Sequence, residues 1–542
     1  MKACAGLFAL ASAVIVAAWW FIGAPVTMPV APIAAGEKLP CVSYAPFRDD
    51  QTPLDLSTRI EPWQIEDDLK RLAPLTGCVR TYSVHLGLDQ IAPIAQRYGL
   101  KVLQGLWLGR MPDFNRDQIA TAIALAQRYP DVILALVVGN EVLLRGELSA
   151  DGLASIIREI KAQVPVPVTY ADVWEFWLRH PDVAQAVDFV TIHVLPYWED
   201  FPIPALEAAA HVAAIHQRVA ARFPGKEIVV GEFGWPSAGR MREGALPSPS
   251  NQARTVQEVL ALANREGFRL SLIEAFDQPW KRRLEGTVGG HWGLLTADTR
   301  APKFEWGRPV SDHPHWLWLA LAGLALAGAV FAAALFTGRG VAQPARLAAA
   351  PAQRVILVGV LVDAVIPGVL IGWAIEKIPS ESFGLGGWVR SLALAVVAIA
   401  APVAATAALV RKSAPVPFRR VLGRRSERPP DALALALGAA LALVTVLAIQ
   451  VALGLVFDPR YRDFPFAPLT AAVVPFAVLA AAGVREVGPR QPAETIAAAV
   501  LALSAGYIAL NEGLANWQAL WLAGALVVLA ATLALPRAAR SS

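Results

Sequence analysis

The sequence predicts an α/β fold, a (β/α)8 TIM barrel, followed by an all-α domain with several transmembrane helices. Between residues 41 and 303, short apolar strands alternate with amphipathic helical stretches about eight times. Beyond residue 312, long apolar runs separated by basic loops take over. The whole chain is 55% hydrophobic and 17% charged, with a mean hydropathy of +0.46. That composition is too apolar for one soluble globule.

The first 26 residues are predicted to form a transmembrane signal anchor. Residues 3–24 carry no charge, follow Lys2 and end near the cluster Trp19-Trp20-Phe21, which suits a membrane interface. A cleaved signal peptide is the alternative, although a clean small-x-small cleavage site is hard to find just after the apolar run. In both cases Lys2 stays inside and the next domain is exported. Residues 27–40 are rich in Pro and Ala and are expected to form a short tether.

Residues 41–312 are expected to form the barrel domain. The predicted strands are Val42–Phe47, Val79–Ser83, Val102–Trp107, Ile133–Gly139, Val166–Tyr170, Phe189–His193, Ile228–Val230 and Leu270–Phe276. Helical spacing of apolar residues lies between them, for example over Ile65–Ala73, Leu88–Tyr98, Arg116–Arg128 and Ala150–Gln163. An open doubly wound sheet is the alternative fold, but no glycine-rich phosphate turn follows the first strand.

Two of the three cysteines, Cys41 and Cys78, each directly precede a predicted strand. If those strands are parallel neighbours, the two residues start at one level and lie within disulfide reach. The alternative is a pair of buried free thiols. In an oxidising compartment a bond between them would close a loop of about 37 residues, and the sequence leaves both alternatives open.

Residues 313–542 are expected to form a membrane domain of about seven helices. The apolar runs are Trp316–Phe336, Val355–Ile375, Leu392–Val410, Ala432–Phe457, Leu469–Val484, Ile496–Leu510 and Leu520–Leu535. With the barrel outside, the inside loops hold fourteen Lys and Arg residues and the outside loops four. This asymmetry predicts an exported, periplasmic barrel in a bacterial inner membrane, with the C-terminus in the cytoplasm.

Charge and polar residues limit the other partners. Residues 37–312 hold 29 Lys and Arg against 34 Asp and Glu, a net charge of −5, and the remainder holds 19 against 10, a net of +9. The basic character therefore belongs to the membrane-flanking loops, and no nucleic-acid partner is indicated. No cofactor or metal site is predicted; His313 and His315 are too close together to make a convincing one. Asp363, inside an apolar run, is a candidate functional residue or reaches headgroup water.

Two glutamates carry the predicted chemistry. Glu141 follows the apolar strand in Leu134–Glu141, and Glu232 follows the strand in Ile228–Ser237. In a barrel, all strands point their C-terminal ends at one face, so both carboxylates should rim the same mouth. Two facing carboxylates are what glycosidic bond chemistry requires. Their separation would decide between retention and inversion of configuration.

Several ordered motifs resemble glycoside hydrolase family 17, the β-1,3-glucanase and glucanosyltransferase family. They are Val138-Gly-Asn-Glu141, Pro196-Tyr-Trp198, Gly231-Glu-Phe-Gly-Trp-Pro236, Phe276-Asp-Gln-Pro-Trp-Lys281 and His291-Trp-Gly293. The resemblance covers about residues 41–303. It implies a retaining mechanism on a (β/α)8 barrel with Glu141 as acid/base and Glu232 as nucleophile.

The resemblance also implies roles for other residues. Asn140 would bond the sugar 2-hydroxyl, and Tyr197 would bond or position the nucleophile. Glu274, Lys281 and Glu285 would form a polar network around the acid. Many members carry a glutamate where this chain has Gln278, which changes the charge of that network.

Residues at the strand ends are candidates for sugar contacts. Aromatic faces that could stack on pyranose rings, or else pack in the core or rim, belong to Trp107, Trp174, Trp198, Trp235 and Trp280. Tyr44, Arg80 and Tyr82 could line the mouth or serve the structure. His193 is interpreted as a hydrogen-bonded core histidine.

The function predicted from these features is a membrane-anchored β-1,3-glucan transglycosylase that elongates or branches glucan. The partners would be a β-glucan oligosaccharide or polysaccharide and the lipid bilayer. A β-1,3-glucan hydrolase is the alternative. Two hypotheses of another class are a catalytically silent glucan-binding protein and a glucan exporter formed by the helices.

Overall fold

A computed structural model describes residues 2–34, 36–338, 351–423, 431–486 and 491–534. The chain divides into two compact units. One unit, here called the barrel unit, is Val26–Val310, and the other, the helical unit, combines Met1–Pro25 with Ser311–Ser542.

The barrel unit contains a closed sheet of eight parallel strands in the order β1 to β8. The strands are β1 Val42–Ser43, β2 Cys78–Arg80, β3 Lys101–Leu106, β4 Ile133–Asn140, β5 Val168–Val173, β6 Val190–His193, β7 Ile228–Phe233 and β8 Leu270–Leu272. Strand β1 closes the barrel by pairing with β8 as well as β2. The predicted (β/α)8 barrel followed by a helical region is confirmed.

Seventeen α-helices complete the described fold. In chain order they are α1 Lys2–Ile22, α2 Pro62–Leu72, α3 Ile91–Arg97, α4 Pro112–Arg128, α5 Ala150–Lys161, α6 Trp174–Arg179, α7 Ala208–Arg222, α8 Pro249–Glu266, α9 Arg282–Gly289, α10 Trp316–Gly338, α11 Pro351–Glu381, α12 Gly384–Arg411, α13 Phe418–Leu422, α14 Ala432–Phe457, α15 Phe466–Ala481, α16 Pro492–Glu512 and α17 Trp517–Ala534.

Local sequence explains how these helices begin and which face they bury. In α5, the Ser149 hydroxyl caps the helix by accepting from the Gly152 amide at 3.2 Å. The buried residues of the same helix, among them Leu153, Ile157 and Ile160, recur at helical spacing. The helix therefore presents one apolar stripe to the sheet and a polar stripe to solvent.

The seventh strand is longer than the sequence pattern predicts. The expected strand stops at Val230, whereas β7 continues to Phe233. Glu232 pairs with His193 of β6 in the ladder, and the Val194 amide donates to the Glu232 carbonyl at 3.0 Å. The backbone of Glu232 is consequently fixed in the sheet, and this fixes the point from which its side chain starts.

The segment expected to be a tether packs against the barrel unit. Met28 is buried with Ala253 of α8, and Arg254 donates to the Thr27 carbonyl at 3.1 Å. Asn264, near the end of the same helix, donates to the Pro32 carbonyl at 3.0 Å. In these contacts, side chains of α8 donate to backbone carbonyls of the proline-rich segment. The composition of the segment alone does not predict that it packs in this way.

Cys41 and Cys78 form a disulfide with a Cα–Cα distance of 4.4 Å. The register of the first two strands explains this pairing. Val42 pairs with Val79, so the residues just before them start side by side. The bond joins positions 37 residues apart and ties the first two strands together at the bottom of the barrel.

Removing this bond is expected to destabilise the barrel unit. The double variant Cys41→Ser/Cys78→Ser should lose about 4 kcal/mol of unfolding free energy, because the unfolded chain regains the entropy of an open loop. Urea unfolding of the full-length protein, followed by tryptophan fluorescence without reductant, measures the change. Cys4→Ser, at the free cysteine in α1, is the control and should leave the midpoint unchanged. Equal midpoints for both variants would contradict the expectation.

The helical unit contains long apolar helices. Among the described residues, seven are long and apolar enough to cross a membrane: α1, α10, α11, α12, α14, α16 and α17. Helix α15, which contains the expected short run at Leu469–Val484, has 16 residues. These lengths and compositions indicate a membrane protein. The expected N-terminal anchor, α1, belongs to the same compact unit as the C-terminal helices.

The role of Asp363 and the orientation of the helical unit stay predictions. Asp363 is fully buried in α11, where Thr406 donates to its carboxylate at 3.3 Å. The predicted orientation depends on loop charges, many of which lie outside the described residues, namely Arg339, Arg346, Arg424, Arg425, Arg428, Arg490, Arg537 and Arg540.

Candidate active site

Glu141 and Glu232 converge at the C-terminal face of the barrel. Glu141 directly follows β4, and Glu232 is the second-last residue of β7. One carboxylate oxygen of each lies within 4.8 Å of the other. This spacing is close to the separation of roughly 5 Å at which one carboxylate attacks the sugar and the other protonates the leaving group.

The backbone around Glu141 is strained. Gly139 has φ +87° and Glu141 has φ +53°, a left-handed conformation that a glutamate seldom adopts. A side chain at Gly139 would meet the Val142 side chain at 2.7 Å, so only glycine fits there. The Glu141 amide donates to the Ala171 carbonyl of β5 at 2.8 Å and fixes the turn. The motif Gly-Asn-Glu is thus explained by the backbone that it must adopt.

His193 connects the two glutamates. Its Nδ1 lies 2.8 Å from Glu141 Oε1, and its Nε2 lies 3.5 Å from Glu232 Oε1. His193 is 1% exposed, as expected for a hydrogen-bonded core histidine. Its position was the available signal, since it ends β6 at the same level at which the glutamates end β4 and β7.

Arg80 lies under Glu232 inside the barrel. It is 1% exposed and donates to Glu232 Oε1 at 2.5 Å and to the Gly231 carbonyl at 3.2 Å. Its other terminal nitrogen donates to Asn140 Oδ1 at 2.6 Å. From its sequence position, Arg80 was a candidate either for lining the mouth or for a structural role. In the structure it is a buried cation that orients Glu232 and Asn140.

Tyr82 donates its hydroxyl to Glu232 Oε1 at 2.9 Å. Burial raises the pKa of Glu232, but the electrostatic effects of His193 and Arg80, with the hydrogen bonds from Arg80 and Tyr82, outweigh burial and lower this pKa to about 2. Glu232 is therefore ionised at neutral pH. An ionised carboxylate is the state that a nucleophile requires.

The expected polar network forms around Lys281. Its ammonium donates to both carboxylate oxygens of Glu274, at 2.8 and 2.9 Å. Burial raises the pKa of Glu274 to about 7 against the opposing effect of Lys281. Burial also raises the pKa of Glu285, and Lys281 again opposes the shift. Gln278 accepts from Trp280 at 2.8 Å and donates to the Ala45 carbonyl at 2.9 Å.

Three of the residues expected at the sugar surface are buried. Trp235 is 0% exposed and donates to the Leu246 carbonyl, and Tyr44 is 1% exposed and donates to Asp68. Tyr197, expected at the nucleophile, is 0% exposed and donates to the Arg240 carbonyl at 2.9 Å. The tyrosine that bonds the Glu232 carboxylate is Tyr82.

Three other candidates, Trp107, Trp198 and Trp280, are half-buried, whereas Trp174 is 8% exposed. Arginine side chains stack on two of them: Arg145 lies 4.2 Å from the Trp107 ring centre, and Arg242 lies 5.3 Å from that of Trp198. Trp280 packs against Phe47 with ring centres 6.1 Å apart. Stacking of sugars on these rings stays a prediction from their strand-end positions.

The arrangement suits acid–base and nucleophilic chemistry on one substrate. Glu141, His193 and Glu232 have the donor types of a metal site. However, the Arg80 guanidinium already neutralises the Glu232 carboxylate, which leaves it a poor metal ligand. A closed (β/α)8 barrel with two facing glutamates, one buried and one 24% exposed, defines a glycoside hydrolase.

Comparisons with known proteins agree. The family described as the BtgE/BtgC glycoside hydrolase domain matches residues 41–293. Glucan 1,3-beta-glucosidase of Schizosaccharomyces pombe is 30% identical over 235 residues, which cover 40% of this chain and 72% of that protein. The enzyme of the same name from Arthroderma benhamiae is 29% identical over 265 residues, 44% of this chain and 82% of that one.

A solved structure, the glycoside hydrolase family 17 beta-1,3-glucanosyltransferase from Rhizomucor miehei, is 25% identical and covers 49% of this chain and 96% of its own, with a TM-score of 0.44. The chain belongs to glycoside hydrolase family 17, as its motifs predicted.

Proposed function

We propose that the protein is a membrane-anchored, retaining β-1,3-glucan transglycosylase. The observation that carries this proposal is the distance between the two carboxylates, within 4.8 Å, in a family whose named relatives act on 1,3-β-glucan. That distance leaves no room for a water between carboxylate and sugar, which an inverting enzyme needs, and supports a covalent glycosyl-enzyme.

In the first step, ionised Glu232 attacks the anomeric carbon of a glucan chain. The bond from this carbon to the bridging oxygen breaks, and protonated Glu141 gives its proton to that oxygen. The reducing-end fragment leaves, and an ester joins the remaining glycosyl group to Glu232. In the second step, Glu141 takes a proton from an acceptor hydroxyl, which attacks the same carbon and releases Glu232.

The surrounding residues support each step. Arg80 and Tyr82 hold one oxygen of Glu232 and leave the other to attack. Arg80 donates to the side-chain oxygen Oδ1 of Asn140. The side-chain NH2 group of Asn140 is therefore the group available to bond the sugar 2-hydroxyl. His193 positions the Glu141 carboxylate through the 2.8 Å contact between its Nδ1 and Glu141 Oε1. Lys281 interacts electrostatically with Glu274, Glu285 and Glu232, and so supplies positive charge near the catalytic carboxylates.

Transfer and hydrolysis share the glycosyl-enzyme and differ in whether a sugar or a water accepts it. The helical unit favours remodelling of glucan at a membrane, with the barrel unit in the periplasm and the C-terminus in the cytoplasm. The excess of basic residues in one set of loops supports that orientation. Hydrolysis of β-1,3-glucan is the second candidate, since the named curated relatives are glucosidases.

Incubation of the full-length protein in detergent with β-1,3-linked oligosaccharides tests the proposal. We expect products longer than the substrate, seen by mass spectrometry, and new glycosidic linkages, identified by NMR. Shorter products alone would favour the hydrolase. A protein that binds the oligosaccharides without turnover would overturn the enzymatic assignment and favour a binding or export role. Glu232→Gln is the control that separates this activity from a contaminant.

A further inference from the structure

Trp63 is an exposed aromatic residue on the catalytic face of the barrel unit. It lies in the first turn of α2 and is 62% exposed. Helices of a (β/α)8 barrel run antiparallel to the strands, so their N-termini lie at the face that holds the catalytic glutamates. A single exposed aromatic side chain needs no functional explanation by itself. The residues around Trp63, however, give a reason to assign it a function.

A fixed cation supports the Trp63 ring. The Arg48 guanidinium lies over the ring, 5.7 Å from its centre. Arg48 is itself held by Asp67 at 2.9 Å and by the buried carboxylate of Asp68. Asp68 is 0% exposed and also accepts the hydroxyl of Tyr44 at 3.1 Å. The indole therefore has one side fixed by a cation–π contact and presents the rest of its surface to solvent.

The same construction recurs around the mouth. Arg145 on Trp107 and Arg242 on Trp198 are two further stacked pairs, and Arg218 lies 5.0 Å from the ring centre of Trp174. Each of these tryptophans follows a barrel strand. Trp63 is the most exposed tryptophan in this group. It was not singled out from the sequence, because it begins a helix instead of ending a strand.

Aromatic contacts lead from the catalytic network toward Trp63. Trp280, next to Lys281, packs edge-on against Phe47, and Phe47 is followed directly by Arg48. In the closed order of eight strands, β1 is opposite β5. Trp63, beyond β1, and Trp174, beyond β5, therefore lie on opposite sides of the mouth. Trp174 is 8% exposed, so the aromatic surface that a polysaccharide crossing the catalytic pair would meet is larger at the Trp63 end.

We propose that Trp63 is a distal glucose-binding platform that engages only long glucan chains. The inference rests on the proposed function and adds the length of substrate that the groove selects. The indole would stack on a pyranose ring several units from the scissile bond, and the charged side chains of Arg48 and Asp67 beside it would bond that sugar's hydroxyls. Trp63 would thereby hold the chain during repeated transfers without touching the reacting atoms.

The test is the length dependence of KM in the full-length protein. Trp63→Ala should raise KM for a long β-1,3-glucan about tenfold, the effect of losing one well-placed aromatic contact. It should leave KM for a trisaccharide and kcat for both substrates within about twofold of the original. Trp63→Tyr should restore most of the affinity, because it keeps an aromatic face. Leu56→Ala is the matched control, because Leu56 is 64% exposed in the loop between β1 and α2, just before Trp63, and it should change neither KM.

Each outcome decides between the alternatives. Turnover with the same KM change for short and long substrates, or with no change for either, would overturn the platform and leave the proposed function intact. A KM change for Leu56→Ala equal to that for Trp63→Ala would show that general loop packing, not the indole, is responsible. Absence of turnover on every β-glucan in the unaltered protein would overturn the proposed function and this inference with it.

Discussion

Glu232→Ala is expected to abolish turnover of glucan, with a fall in kcat of about 10⁵-fold or more, because no nucleophile remains. Glu141→Ala should cost about 10²- to 10⁴-fold, the usual contribution of a general acid–base. The two variants should differ most clearly with a substrate whose leaving group needs no proton. Glu141→Ala should still form the glycosyl-enzyme from it rapidly, and Glu232→Ala should not.

Azide identifies the two roles independently. In Glu232→Ala, azide can enter the space left by the carboxylate and attack opposite the leaving group, so the product should be the α-glycosyl azide. In Glu141→Ala, azide should attack the glycosyl-enzyme and give the β-glycosyl azide. NMR of the products measures the configuration. Glu207→Ala, at an exposed glutamate beyond β6, should behave as the unaltered protein. The same azide anomer from both variants would contradict the assigned roles.

The fold and the catalytic pair are readable in the sequence for a common reason. Parallel strands buried on both faces appear as short continuous apolar runs, and such runs were found near all eight strands. Because all strands end at one face, two glutamates at strand ends had to approach each other. Glu141 and Glu232 were located by this argument without any knowledge of distance.

The contacts beneath the pair were harder to read. Arg80 is the last residue of β2, and Tyr82 lies two residues beyond it. The sequence does not show which of the alternating side chains of a strand buried on both faces points into the barrel. His193 is the hydrogen-bonded core histidine that the sequence indicated, but its contact with Glu141 could not be read from the sequence, because the two residues lie at the ends of different strands. Trp235 and Tyr197 stand in family motifs but are buried by packing against each other, 6.2 Å apart.

Arg80→Met is expected to lower kcat/KM by at least about 100-fold, the usual effect of removing a preorganised donor from a catalytic charge. Arg80 contributes an ion pair and a hydrogen bond that lower the pKa of Glu232 to about 2. Without them, burial should raise this pKa. Since Glu232 must be ionised to attack, the acidic limb of the pH profile of kcat/KM should move to higher pH by at least about one unit.

A purely structural role for Arg80 would lower activity without moving the acidic limb, so the pH profile distinguishes the two explanations. Arg80 is 1% exposed, and Arg80→Met leaves Asn140 and Glu232 without their cation, which threatens folding. Tyr82→Phe removes only the 2.9 Å hydrogen bond to Glu232 and keeps the ring. It should move the limb in the same direction by a smaller amount. An unmoved limb in both variants would contradict the electrostatic role, because both donors lower the pKa of the same carboxylate.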